Sequence, residues 1–236
     1  MTPRSIKPDL PVDPVTVDIL RAVAEETQAE GIDYLLVGAT ACDVLLTHVH
    51  GLVSRRATYD VDFAVAVKNW DQFAALRTRL IARGAFNATD KAQQRLYYQA
   101  PDSNLAYQLD LVPFGGISEG TNAIAWPPDM KIIMNIAGYD DVLAAAELVT
   151  FAPDFDGKVV SLPGLAGEYD PDLAGVYLLG KDIRRVTSAD TLDIVRHIIE
   201  RDFERLVHQM TKAMRHLEDA EDHVDKRLRL LQHALA

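Results

Sequence analysis

The ten residues TYDVDFAVAV, Thr58 to Val67, alternate strictly. Tyr59, Val61, Phe63, Val65 and Val67 point one way, and Asp60, Asp62, Ala64 and Ala66 the other, which predicts a β-strand. Period two puts Asp60 and Asp62 on one face, about 6.5–7 Å apart along the chain. A bare Asp-x-Asp of this kind is more often a solvated strand face than a site. The flanking sequence decides between the two.

Upstream, Asp33 to Val37 predicts a short buried strand, Gly38 a turn, and Ala39 to about His48 a helix. A helix start after a glycine turn offers backbone N–H groups and a favourable dipole to a phosphate. Thr40 either adds a hydroxyl there or caps the helix. Downstream, Asn69 to Arg83 predicts a helix closed by Gly84. Arg95 to Ala100 and Leu105 to Val112 then flank the turn-rich quartet PDSN at 101–104, a hairpin pattern. Asp110 lies mid-strand in the second arm and shares its face with Gln108 and Val112. If that arm neighbours the Asp-x-Asp strand, three carboxylates meet on one patch. They repel one another unless a cation intervenes, and hard Mg²⁺ prefers such oxygen ligands, so Asp60, Asp62 and Asp110 are the candidate metal ligands. A phosphate-holding turn and three strand acids are the working parts of metal-assisted nucleotidyl transfer.

Further out, a Pro-rich entry leads into a helix over Val15 to Glu30. Strand-like pieces recur at Ala123 to Trp126, Ile132 to Ile136 and Lys158 to Leu162, with a helix expected over Tyr139 to Leu148. From about Asp172 the pattern is helical, and Ala189 to Ala236 contains neither Gly nor Pro. The Pro/Gly-rich stretch Pro163 to Pro171 marks the boundary, giving a core domain over 1–165 and a helical region over 166–236. The expected class is α+β, a mixed-sheet α/β arrangement.

Composition narrows the function. A net charge of −11 over 236 residues lacks the bulk basic surface of a duplex-nucleic-acid binder. Residues 181–236 are electrically balanced, so the acidic excess belongs to the first 180. No apolar run approaches the roughly 20 residues that span a bilayer, and no secretory signal is visible, so a cytoplasmic protein without membrane contact is expected. The single cysteine, Cys42, excludes an internal disulfide framework and a multi-cysteine zinc cluster, and reads as a small core residue.

The runs LLVGATACDVLL, HVHGLVSRRATYDVDFAVAV, LDLVPFGGI, AWPPDMKIIMN and SLPGLA resemble the AbiEii/AbiGii-type nucleotidyltransferases. These are often toxins of toxin–antitoxin pairs, built on the DNA polymerase β-like nucleotidyltransferase fold. The resemblance is close over about 15–167 and looser beyond. It implies that Gly38 and Ala39 form the turn holding the nucleotide's phosphates, and that Asp60 and Asp62 are the metal-binding pair. By the same likeness Asp110 is the third acid, helping to deprotonate an acceptor hydroxyl. The implied reaction moves a nucleotide from a nucleoside triphosphate to a hydroxyl, with two Mg²⁺ ions, RNA such as a tRNA end as acceptor, and a cognate antitoxin as partner. The chain departs from the family in two places. Ala39 stands where a serine is common. After SLPGLA the chain runs straight into GEYDPDLAGVYLLGKDIRRV, where family members carry a lysine-containing helix and a Lys-Asp-x-x-Asp segment. It reads as a member shortened internally. The alternative is therefore a catalytically impaired relative that binds nucleotide or a partner. An aminoglycoside-type nucleotidyltransferase would share the metal site.

Arg55, Arg56, Arg77, Arg79, Arg83, Lys91 and Arg95 give this acidic region a local basic contribution suited to phosphate contacts. Arg56, with Arg55, is the better candidate because it sits on the loop entering the Asp pair. For 77–83 a solvated helix face is the plainer reading. His197, His208, His216, His223 and His233 would share one flank of a single continuous helix, without the spacing of a helical zinc site.

Overall fold

The fold is described from a computed structural model, over residues 2–52, 60–89, 92–101, 105–118, 120–161, 180–181, 183–213 and 219–236. The chain divides into two compact units, residues 1–161 and 162–236.

In the first unit β1 (Arg4–Ser5) precedes helix α1 (Pro14–Ala29), whose N-terminus combines an Asp13 cap with proline in the first turn. Strand β2 (Asp33–Val37) runs into α2 (Gly38–Asp43), which continues as a π-helical stretch over Val44–Val49. β3 (Asp60–Ala66) is the alternating strand. α3 (Trp70–Ala82) starts at Asn69, whose side chain accepts from the Gln72 amide. Then come β4 (Phe86–Ala88), β5 (Arg95–Gln99), β6 (Ala106–Phe114), β7 (Ala123–Trp126), β8 (Ile132–Asn135), α4 (Tyr139–Ala144), β9 (Glu147–Ala152) and β10 (Phe155–Val159).

Eight strands form one mixed sheet in the order β1-β9-β10-β2-β3-β6-β5-β4. β3 lies at its centre, antiparallel to β2 and parallel to β6. The hairpin expected from the sequence forms between β5 and β6. β7 and β8 pair separately, and Trp126 of β7 packs its ring 5.0 Å from Trp70 and 5.7 Å from Phe73 at the start of α3.

Two sequence expectations change. Tyr139 to Leu148 does not stay helical: α4 stops at Ala144, and Glu147 to Ala152 becomes β9, paired with β10 and β1. The alanine run favours helix locally, but the residues that follow, Leu148 to Phe151, suit a strand with neighbours on both sides. The face of β3 that carries Asp60 and Asp62 is also less open than the alternation suggests. Ala64 is fully buried, as is Leu35, its register partner on β2. Around Ala64 the sheet is covered on both faces, and along β3 the acid face is most open at Asp60.

The second unit contains α5 (Ala189–Ala213), kinked at Asp202, and α6 (Ala220–Leu235). Leu192 and Ile199 near the start of α5 cluster with Leu235 at the end of α6, while Val207 clusters with Val224 and Leu228. The two helices therefore run antiparallel. The histidines expected on one continuous helix are divided between them, with His216 outside the described residues. The expected boundary at 165/166 also falls outside the described residues.

Candidate active site

Parallel pairing of β3 with β6 puts Asp62 directly beside Asp110 and Asp60 beside Gln108. Neighbouring strands lie about 4.8 Å apart, so register partners on one face are side-chain neighbours. On the other side of β3, Asp62 pairs with Val37, the last residue of β2. The sheet thus brings the Gly38 turn, the Asp pair and Asp110 together on neighbouring strands.

Gly38 is in the left-handed region at φ +71°, which favours glycine. A Cβ there would lie 2.2 Å from Asp62 Oδ2. The turn and the acid are therefore fitted to each other: the Asp62 carboxylate rests in the space that the missing side chain leaves. Ala39 follows on α2, whose N-terminus has no side-chain cap. Thr40 does not fill that role. Thr40 is buried, and its hydroxyl donates to the Asp60 carbonyl at 2.6 Å, tying the helix start to the start of β3. Its one donor is spent on the protein, so Thr40 fixes the turn against the acid strand.

Asp62 is half-buried. Burial, then the charges of Asp110 and Asp60, push its carboxyl above the ordinary aspartate range, with Arg95 opposing. Asp110 has a different environment. Arg95, its register partner on β5, gives it a two-armed fork, Nε to Oδ1 at 2.8 Å and Nη2 to Oδ2 at 2.8 Å. Gln108 Nε2 adds a contact to Oδ2 at 3.2 Å. Asp62, Asp110 and Arg95 form a row across three strands. Tyr139 at the start of α4 also belongs to this neighbourhood. Its ring lies 5.4 Å from that of Phe114, and burial, then the Asp62 charge, raise its hydroxyl pKa. Nothing in the sequence spacing singles out Tyr139, because α4 is brought in by tertiary packing.

Three of the basic residues named as phosphate candidates, Arg95, Arg79 and Arg83, have protein partners. Arg95 is bound to Asp110. Arg79 and Arg83 on α3 reach across to α1, with Arg79 Nε 2.7 Å from Glu26 Oε2 and Arg83 Nη1 2.8 Å from Glu26 Oε1. Arg77 Nε is buried without a hydrogen-bond partner among the described residues. Arg55, Arg56 and Lys91 lie outside the described residues. Cys42 is half-buried on α2.

The residues fit the magnesium that the family resemblance implies: the donors are carboxylate oxygens, carried by Asp60 and Asp62 on one strand face and by Asp110 in register beside Asp62. Among the described residues no three His, Cys, Asp or Glu side chains are gathered into a ready-made metal cage. Mg²⁺ does not need one, since it is commonly held by one or two carboxylates with water and substrate phosphates completing its shell. No helix among the described residues is long and apolar enough to cross a membrane.

No protein-family model and no curated protein matches the chain. Among solved structures it is similar to the antibiotic-resistance factor ANT(2'')-Ia, at 12% identity over 84% of this chain and 98% of that one, with a TM-score of 0.41. It is also similar to a CCA-adding enzyme in complex with ATP, at 14% identity over 99% of this chain and a TM-score of 0.42. The Thermotoga maritima CCA-adding enzyme complexed with tRNA matches at 13% identity over 99% of this chain and a TM-score of 0.38. The chain spans little more than half the length of these CCA-adding enzymes, 56% in each case. These neighbours are nucleotidyltransferase-fold proteins. None of these scores reaches 0.5.

Proposed function

We propose that the chain is a nucleotidyltransferase that moves a nucleotide from a nucleoside triphosphate to a hydroxyl acceptor. The observation that carries this reading is the register of β3 on β6, which sets Asp62 beside Asp110 with the Gly38 turn backing Asp62. In this reading the backbone of Gly38 and Ala39 receives the triphosphate, and Asp60 and Asp62 hold Mg²⁺. When bound, the two ions neutralise the polyphosphate and stabilise the attacking and leaving oxygens. Asp110 orients the acceptor hydroxyl and takes its proton. The acceptor oxygen bonds to the α-phosphorus as the bond to the bridging oxygen breaks, and pyrophosphate leaves. Thr40 keeps the turn and the acid strand in step.

The sequence resemblance extends the proposal to RNA, a tRNA end in particular, as acceptor, and to a toxin role with a cognate antitoxin. The residues of the site are equally compatible with other hydroxyl acceptors. The test is incubation with each of the four α-phosphate-labelled triphosphates, Mg²⁺ and total RNA, comparing the intact protein with Asp62→Asn. Label transferred to RNA by the first and not by the second supports the proposal. Nucleotide binding without transfer, for all four triphosphates, would instead identify a catalytically silent relative.

A further inference from the structure

The three acids of the site are not equivalent, and the difference lies in Arg95. Both oxygens of Asp110 accept from its guanidinium at 2.8 Å, in the planar fork geometry that makes Arg–carboxylate pairs strong and directional. The pair is largely shielded, with the Asp110 side chain 16% exposed and that of Arg95 31%. Gln108, on the same strand face, braces the same carboxylate from a third direction. Among the described residues Asp62 receives no comparable fork. It faces the Gly38 turn, where the phosphates would arrive.

We propose that Arg95 is a positioning residue that withholds Asp110 from the metal, so that Asp60 and Asp62 alone are the protein's cation ligands and Asp110 is kept for the acceptor hydroxyl. This rests on the nucleotidyl-transfer reading for the role of Asp110, but not for the division of the acids. Sequence spacing cannot make this division, because Asp60, Asp62 and Asp110 all read as acids on strand faces. The fork appears only when β5 folds back on β6 and places Arg95 in register with Asp110. Replacing Arg95 has a crossed consequence: the freed Asp110 charge draws the cation more tightly, while the acceptor loses its oriented base.

The test is a Mn²⁺ titration of the nucleotide-free protein, followed by the free-Mn²⁺ paramagnetic signal, for wild type and four variants. Asp60→Asn should weaken Mn²⁺ binding at least tenfold, and Asp110→Asn should change it less than threefold. Arg95→Gln should tighten it three- to tenfold, and the double variant Arg95→Gln with Asp110→Asn should return it to near the wild-type value. An Asp110→Asn loss as large as that of Asp60→Asn, or weaker binding in Arg95→Gln, would overturn the proposal. In the transfer assay Arg95→Gln should lower kcat at least tenfold with the triphosphate KM unchanged or lower, whereas a merely structural arginine would not raise metal affinity. If no protein transfers nucleotide, the proposed reaction fails, and the Mn²⁺ series still decides the division of the acids.

Discussion

Replacing Gly38 by alanine should disturb the site through two separable effects. The left-handed backbone at φ +71° costs an L-residue about 1–2 kcal/mol. The added Cβ then meets Asp62 Oδ2 at 2.2 Å and Cγ at 3.0 Å, so the carboxylate must leave its position. Driving a side chain well off its rotamer costs about 0.5–1.5 kcal/mol. Together these give roughly 1.5–3.5 kcal/mol, or a melting temperature lower by about 3–14 °C for a protein of this size. The assay is urea or thermal unfolding in EDTA of Gly38→Ala, Asp62→Ala and the double variant. Removing the Asp62 carboxylate relieves the 2.2 Å and 3.0 Å contacts and leaves only that to its Cβ at 3.1 Å, while the backbone strain persists. Gly38→Ala should therefore cost at least about 0.5 kcal/mol less in the Asp62→Ala background, as expected for residues in contact. An equal cost in both backgrounds, or no cost in either, would refute the idea that turn and acid are fitted to each other.

Asp62→Asn, without metal, should leave the melting temperature equal to or slightly above wild type, because it removes a charge disfavoured by burial and by Asp110 and Asp60. A clear drop would mean that the carboxylate is needed to hold the fold. Thr40→Val should lose the 2.6 Å bond to the Asp60 carbonyl and cost about 1 kcal/mol in urea unfolding, with Thr40→Ser restoring most of it. Glu26 binds Arg79 and Arg83 across α1 and α3; burial raises its carboxyl pKa, but the hydrogen bonds from Arg83 and Arg79 outweigh this and lower it overall. Its stabilisation is thus fully present above the ordinary glutamate range and is lost as pH falls below it, through the depressed folded value. Glu26→Gln should cost about 1–2 kcal/mol at pH 7, between an exposed and a buried pair, and should flatten the wild-type loss of stability below pH 4.5; an unchanged acid limb would contradict this.

Much of the site was legible because strand period and turn chemistry are local. The alternation in β3 fixes which face Asp60 and Asp62 share, and Gly38 marks the turn. The pairing of β3 with β6 was an expectation that only the sheet order could test, since parallel partners are separated by a long crossover. What the sequence hid was set by tertiary neighbours. Arg95 read as a cation available to phosphate until register gave it to Asp110, and Arg79 and Arg83 read as a solvated flank until α1 supplied Glu26. Ala64 looked outward-facing by alternation, but both faces of the sheet are covered there. The start of β9, Glu147 and Leu148, reads as the end of a helix because Ala144 to Ala146 favour helix, whereas the strand is stabilised by β10 and β1.

The central claim is that the Gly38 turn and the Asp60–Asp62 pair form one metal-and-triphosphate site. Its most direct test is anomalous diffraction from crystals of the protein grown with Mn²⁺ and a triphosphate whose α–β bridge cannot be cleaved. A manganese peak is expected at the Asp60 and Asp62 carboxylates, with the phosphates against the backbone of Gly38 and Ala39 and Asp110 still in the Arg95 fork. A well-ordered triphosphate seated elsewhere, with no manganese at the Asp pair, would contradict it.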